Sequence, residues 1–212
     1  MNINSFQKLV EAIETHDTLS SKPKKDAAYF IFGRMHPPTK GHQHLIKLGK
    51  ELADKHAADF YVFLSPSTKD TKKSPLQYSS RLNVFKNNPE FEDVNIVQND
   101  RITSPIHAAG YLKNVLGYPI LHIISGSDRE DYYKTTFNRP MKDGSKVNVI
   151  SLGGERDLTG NIDPNDPSTF KGSKLRDAAV RGDFEEFKKG VPSGTPSDVI
   201  KQLYDELRDK LV

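Results

Sequence analysis

The stretch from Ala27 to His42 limits the fold more than any other part of the chain. It reads Ala-Ala-Tyr-Phe-Ile-Phe-Gly-Arg-Met-His-Pro-Pro-Thr-Lys-Gly-His. The apolar run Ala27 to Phe32 has the length and composition of a buried strand, and Gly33 ends it. Pro37 and Pro38 forbid regular structure and stiffen the turn that follows. Gly41-His42 comes next, and an amphipathic helical segment, Leu45 to Ala58, starts at once. A strand, a stiff loop, a glycine and a helix in that order present backbone N–H groups to a phosphate. Arg34, His36, Thr39, Lys40 and His42 add side chains able to donate to an anion.

The rest of the chain repeats the strand-helix alternation. Further strands are predicted at Asp59–Ser65, Val94–Val97, Ile120–Ser125 and Val147–Leu152. Helices are predicted from Leu76 to Asn87, from Ser104-Pro105 to Leu116 by N-cap and first-turn proline chemistry, and briefly up to Lys134. Near the end, Ser173–Val180, a short helix capped by Asp183, and Ser197–Leu211 read as helical. Such alternation implies an α/β fold, a doubly wound parallel sheet with helices on both faces and right-handed crossovers. The site is then expected beyond the C-terminal ends of the strands, where the strand order reverses. Residues 1–26 read as an amphipathic N-terminal helix, with Phe6, Leu9, Val10 and Ile13 at helical spacing, and a polar linker; residues 27–212 read as the main domain. Docking on the core is the first expectation for that helix, ahead of association or targeting. Gly153 to Phe170 is a long Gly/Asp/Asn/Pro-rich loop, of the kind that carries function.

Composition narrows the chemistry. The 212 residues are 35% hydrophobic and 28% charged, ordinary for a soluble chain able to bury one sizeable core. A net charge of +3 allows an anionic ligand without demanding nucleic acid. No cysteine is present, which excludes disulfides, thiolate metal sites and cysteine nucleophiles. No apolar run reaches membrane-spanning length and no signal-peptide core is seen, so a cytoplasmic protein is expected. His42 and His44, two apart on a helix, face away from each other and do not make a metal pair; no dedicated metal site is expected.

Gly33-Arg34-Met35-His36-Pro37-Pro38-Thr39-Lys40-Gly41-His42 resembles the first signature of the nucleotidylyltransferases with a His-x-Gly-His or Thr-x-Gly-His motif, with Thr39 at the first position. Phe170-Lys171-Gly172-Ser173-Lys174-Leu175-Arg176 resembles the Ile-Ser-Ser-Thr-x-x-Arg signature of the same superfamily, although Phe170 and Lys171 depart from it. The resemblance covers roughly Ala27 to Pro192 and implies a Rossmann-like five-stranded sheet in the order 3-2-1-4-5. It also implies transfer of a nucleoside monophosphate from a nucleoside triphosphate, with release of pyrophosphate. Members encoded by large tailed bacteriophages look similar too, which would place the protein in a host cytoplasm.

What the resemblance implies for single residues is specific. His42 would contact the α-phosphate region and stabilise the transition state, with Thr39 on the phosphates beside it, and Lys73 and Arg176 would complete the catalytic set. Nucleotide binding would fall to Gly33, Arg34, Met35, Gly41, His42, Ser173 and Arg176, with Ser173 also suited to cap its helix. His36 occupies a position that varies in the family. Lys72-Lys73-Ser74-Pro75-Leu76 with Arg81 resembles the acceptor-phosphate segment of phosphopantetheine adenylyltransferase. Ser127 and Asp128 sit where nicotinamide mononucleotide adenylyltransferases carry a Gly-x-Asp; Asp128 is suited to contact the acceptor or a ribose hydroxyl, or to cap the next helix. Glu155 and Arg156 lie where the base would bind. Mg²⁺ is expected with the triphosphate, held mainly by phosphate oxygens and water.

Thr39 and the Lys72–Leu76 segment stand closer to the adenylyl than to the cytidylyl branches. The expected partners are therefore ATP, with CTP as the alternative, and a small phosphorylated acceptor, nicotinamide mononucleotide first and phosphopantetheine second. A homo-oligomer is left open. A different-class reading is an inactive structural or binding module, carried in a virus particle through its N-terminal helix. Lys171-Gly172-Ser173-Lys174 also echoes the lysine-serine-lysine loop of class I aminoacyl-tRNA synthetases, but the chain has no room for an anticodon domain and little basic excess, so nucleic acid is not an expected partner.

Overall fold

A computed structural model describes residues 25–68, 72–141, 143–152, 166 and 169–212. The N-terminal helix expected before Lys25, most of the loop after Leu152, and Glu155 and Arg156 lie outside the described residues.

The strands are β1 (Ala27–Gly33), β2 (Asp59–Leu64), β3 (Asn95–Val97), β4 (Ile120–Ser125) and β5 (Val147–Ser151). They form one sheet in the order β3-β2-β1-β4-β5, with every described pairing parallel. This is the order that the resemblance implied. The helices are α1 (Lys40–Lys55), α2 (Tyr78–Lys86), α3 (Pro105–Asn114), α4 (Glu130–Thr136), α5 (Gly172–Arg181), α6 (Phe184–Gly190) and α7 (Ser197–Leu211).

Strand alternation divides the core in two. Tyr29 and Ile31 of β1, Phe60, Val62 and Leu64 of β2, and Ile124 of β4 face one side, under α1, α2, α5, α6 and α7. Ala28 and Phe30, Tyr61 and Phe63, and Leu121 and Ile123 face the other, under α3 and α4. The crossovers from β1 to β3 thus lie on one face and those from β3 to β5 on the other, as right-handed connections require when the strand order reverses. The reversal falls between β1 and β4.

Local chemistry moves some element ends. The first helix starts at Lys40, close to the expected start near His42, because Thr39 caps it with its side chain. It stops at Lys55, where His56 leaves the helical region and Ala57 adopts a φ of 49°. Asp183 caps α6 as expected, accepting from the Glu186 N–H at 2.9 Å. Ser104 caps α3 by accepting from the His107 N–H at 3.2 Å, with Pro105 in the first turn. No described helix is long and apolar enough to cross a membrane.

Helix α1 rides close to the sheet because Gly49 has no side chain. A Cβ there would lie 2.8 Å from Phe60 Cε2 and 3.0 Å from Ile124 Cδ1. Gly49→Val is expected to destabilise the fold by about 1–3 kcal/mol or more through overpacking. Gly49→Ala is expected to cost less, because alanine's helix preference of about 1 kcal/mol over glycine opposes the clash. Denaturant unfolding of the two variants checks both the size and the order.

Candidate active site

A cavity of about 570 Å³ opens beyond the C-terminal ends of the strands, over the β1–β4 reversal. Its wall takes residues 31–36 from the end of β1 and its loop, Thr39, Gly41 and His42 from the start of α1, and Phe170 to Ser173 with Arg176 around the start of α5. Across from these stand Thr103 to Pro105 at the start of α3, Ser125, Gly126, Asp128 and Arg129 after β4, and Tyr132 and Tyr133 of α4. Three helix N-termini therefore point at one space, each with a partial positive charge. Among the described residues the lining holds five cations, Arg34, Lys73, Arg129, Lys171 and Arg176, against one carboxylate, Asp128. Such a space favours a multiply charged anion.

His42 is the third residue of α1, and its ring closes a capping box with Thr39. The Thr39 N–H donates to His42 Nδ1 at 3.0 Å, and the His42 N–H donates to Thr39 Oγ1 at 3.3 Å. A backbone N–H can only donate, so Nδ1 is the acceptor and the neutral ring carries its proton on Nε2. Thr39 Oγ1 also lies 2.8 Å from Nδ1. Thr39 itself is 1% exposed. It lines the cavity, but its polar atoms orient His42 rather than stand open to a ligand.

The start of α5 differs from the expected arrangement. Ser173 does not cap the helix: Lys171 holds the cap position, no side chain caps, and Ser173 lies within the first turn. The first-turn N–H groups are thus left for water or a ligand. Arg176 lines the cavity and its Nη1 donates to the His36 carbonyl at 2.5 Å. Gly172 permits this approach, since a Cβ there would come within 3.1 Å of the same carbonyl oxygen. Lys40 Nζ lies over the Phe170 ring, 5.4 Å from its centroid, linking the two helix starts.

Of the sequence-predicted residues, Gly33, Arg34, Met35, Thr39, Gly41, His42, Lys73, Asp128, Ser173 and Arg176 all line the cavity. Lys72, Ser127 and Arg81 are not among the lining residues. Asp128 caps no helix, because α4 follows Arg129 without a side-chain cap. Arg81, expected at the acceptor, stands outside the cavity lining. Arg81 is 0% exposed, and it donates to the carbonyls of Arg34 (2.6 Å), Ser65 (2.8 Å) and Gln77 (3.2 Å). It braces the loop from beneath instead of touching a ligand. Burial lowers its pKa to about 10, so it stays charged at neutral pH.

His36 is also structural. It is 4% exposed, its Nδ1 accepts from the Leu76 N–H at 3.2 Å, and burial, helped by the charges of Arg81 and Arg34, lowers its pKa to about 3. Sequence reasoning missed Phe32, Thr103, Ser104, Tyr132 and Tyr133 as site residues, all of which line the cavity. The start of α3 and the ends of β1 and β4 were open to the rule that sites follow strand C-termini. Nothing in the sequence singled out the two tyrosines.

No protein-family model matches the sequence, and no curated sequence matches it significantly. Solved structures do share the fold. The Plasmodium falciparum nicotinic acid mononucleotide adenylyltransferase complexed with NaAD superposes with a TM-score of 0.57 at 15% identity, over 85% of this chain and 98% of that one. The same enzyme complexed with APC gives 0.54 at 13% identity, over 85% and 98%. A Vibrio parahaemolyticus protein described as a nicotinate-nucleotide adenylyltransferase gives 0.54 at 14% identity, over 88% and 98%. At this identity the likeness is one of fold.

The burial of His36 has a measurable consequence. Its pKa falls from 6.5 to about 3 on folding, so the neutral ring's contribution is complete above pH 6.5 and is lost as pH drops towards 3. Stability is expected to fall by up to about 1.4 kcal/mol per pH unit from this residue in that window. Denaturant unfolding between pH 7 and 4 should show a shallower slope for His36→Asn than for the wild type.

Proposed function

We propose that the chain transfers AMP from ATP to the phosphate of a pyridine mononucleotide, nicotinic acid or nicotinamide mononucleotide, releasing pyrophosphate. The observation that carries this reading is the meeting of two helix starts in one cavity: α1 with the Thr39–His42 box, and the uncapped α5 with Arg176. A phosphate oxygen of the acceptor attacks the α-phosphorus of ATP. A new P–O bond forms, the bond to the bridging α–β oxygen breaks, and pyrophosphate leaves with the electron pair. Negative charge grows on the α-phosphate oxygens and on the leaving group. No protein nucleophile is needed; positioning and charge neutralisation suffice.

The roles follow from position. His42, with Nε2 as its donor, serves the α-phosphate. The α5 N–H groups and Arg176 serve the leaving pyrophosphate, with Lys171 beside them. Lys73 and Arg129 serve the acceptor phosphate. Tyr132 and Tyr133 give the acceptor ring an aromatic wall. The donor set suits magnesium brought in on the triphosphate: Asp128 is the lining carboxylate, and no cluster of three or more His, Asp or Glu ligands occurs among the described residues. Bound there, the ion would neutralise phosphate charge. The NaAD complex of a structural neighbour supports the choice of a pyridine mononucleotide as acceptor.

The test is pyrophosphate release with magnesium, using ATP or CTP with nicotinic acid mononucleotide, nicotinamide mononucleotide or phosphopantetheine. Turnover confined to ATP with a pyridine mononucleotide is expected. CTP preference, turnover with phosphopantetheine alone, or no turnover with any pair would overturn the reading. His42→Ala is expected to lower kcat by about 10²–10³-fold, the usual loss for a transition-state donor. Its Tm should fall only by the worth of one helix cap. A collapsed Tm would make the residue structural.

A further inference from the structure

Arg81 is a fully buried cation with no ion pair among the described residues. Its hydrogen-bond acceptors are main-chain carbonyls, and its Nη2 has no hydrogen-bond partner. Burying an unpaired charge is costly, and bracing a loop could be done by a neutral donor. A cation kept at this place needs a further reason.

The reason lies in the peptide it holds. Arg81 Nη1 grips the Arg34 carbonyl at 2.6 Å. A trans peptide is planar, with its C=O and N–H pointing in opposite directions. Fixing the Arg34 carbonyl towards Arg81 therefore turns the Met35 N–H away from it. Arg81 is not among the cavity-lining residues, whereas Arg34 and Met35 are. The Met35 N–H has no hydrogen-bond partner among the described residues, although Met35 is 3% exposed. Met35 also has a φ of 49°, the left-handed conformation that helps main-chain N–H groups form an anion-binding concavity. Buried N–H groups are nearly always paired, so an open one beside a cationic cavity awaits an acceptor.

We propose that Arg81 is a positioning residue: it locks the Arg34–Met35 peptide so that the Met35 N–H donates to a bound phosphate, and that phosphate supplies the missing counter-charge. This rests on the reading of the cavity as a polyphosphate site.

The test titrates the full chain with inorganic pyrophosphate and follows backbone amides by ¹H–¹⁵N NMR, with affinity from calorimetry. In the wild type, the Met35 amide should move downfield and rank with the Ser173 amide among the largest shifts. Arg81→Met keeps the buried stem and removes the donors. It should weaken pyrophosphate binding about tenfold, the worth of one charge-assisted hydrogen bond, and abolish the Met35 shift while the Ser173 shift persists. Arg81→Lys restores charge and donors and should recover most of both signals; it stands in if Arg81→Met does not fold. Pyrophosphate binding with a silent Met35 amide overturns the proposal and leaves the phosphate site standing. So does an Arg81→Met protein that keeps wild-type affinity and the Met35 shift. No pyrophosphate binding by the wild type overturns the phosphate-site reading, and the proposal with it.

Discussion

The loop between β1 and α1 depends on hydrogen bonds it cannot make for itself. Two adjacent prolines remove two of its donors, and its carbonyls and the buried His36 ring are held from outside. Three distant segments do this. Arg81 of α2 takes the Arg34 carbonyl, the Leu76 N–H donates to His36 Nδ1, and Arg176 of α5 takes the His36 carbonyl. The last contact spans 140 positions of sequence. The loop is thus rigid because residues from β2–α2 and from the C-terminal helices meet on it. The neutrality of His36 belongs to the same arrangement, since a protonated ring would sit buried beside Arg81 and Arg34.

The sheet supplies the space above that loop. Strand β1 pairs with β2 up to Gly33, but its pairing with β4 ends at Phe30–Ile123. Beyond that point the two strands part, and the Phe32 carbonyl takes its hydrogen bond from the Tyr133 hydroxyl at 2.6 Å. Tyr133 thereby draws the start of α4 onto the end of β1 and closes one side of the crevice. The opposite side is closed by α1 and α5 from the other face of the sheet. One face delivers the helix starts and Arg176; the other delivers Tyr132, Tyr133 and the start of α3. A ligand with a polyphosphate at one end and a ring at the other fits this division.

The architecture was legible because its signals are local. Apolar runs bounded by Gly, Pro and caps fixed the strands and helices to within a few residues, and β4 and α7 to the residue. The motif from Gly33 to His42 marks the loop that lines the cavity, because its residue types bear on the backbone directly. Long-range side-chain use was not legible. Arg81 reads the same in sequence whether it reaches a ligand or a carbonyl, and only the fold shows Arg34 and Ser65 waiting above it. Ser173 has the composition of a cap, yet the cap position falls two residues earlier, at Lys171. Thr39 reads in the sequence as a phosphate contact, and the fold turns its polar atoms onto His42.

These facts share one physical logic. Two groups that line the cavity meet neutral partners: His42 meets Thr39, and Arg176 meets the His36 carbonyl. Neutral partners set direction without cancelling charge. Had Arg81 been held by a carboxylate, the loop would be equally ordered but its surroundings far less positive. Carbonyl partners keep both the order and the field. A site built this way is oriented before its ligand arrives and gains little by rearranging, which is the condition under which electrostatic stabilisation of a transition state is largest.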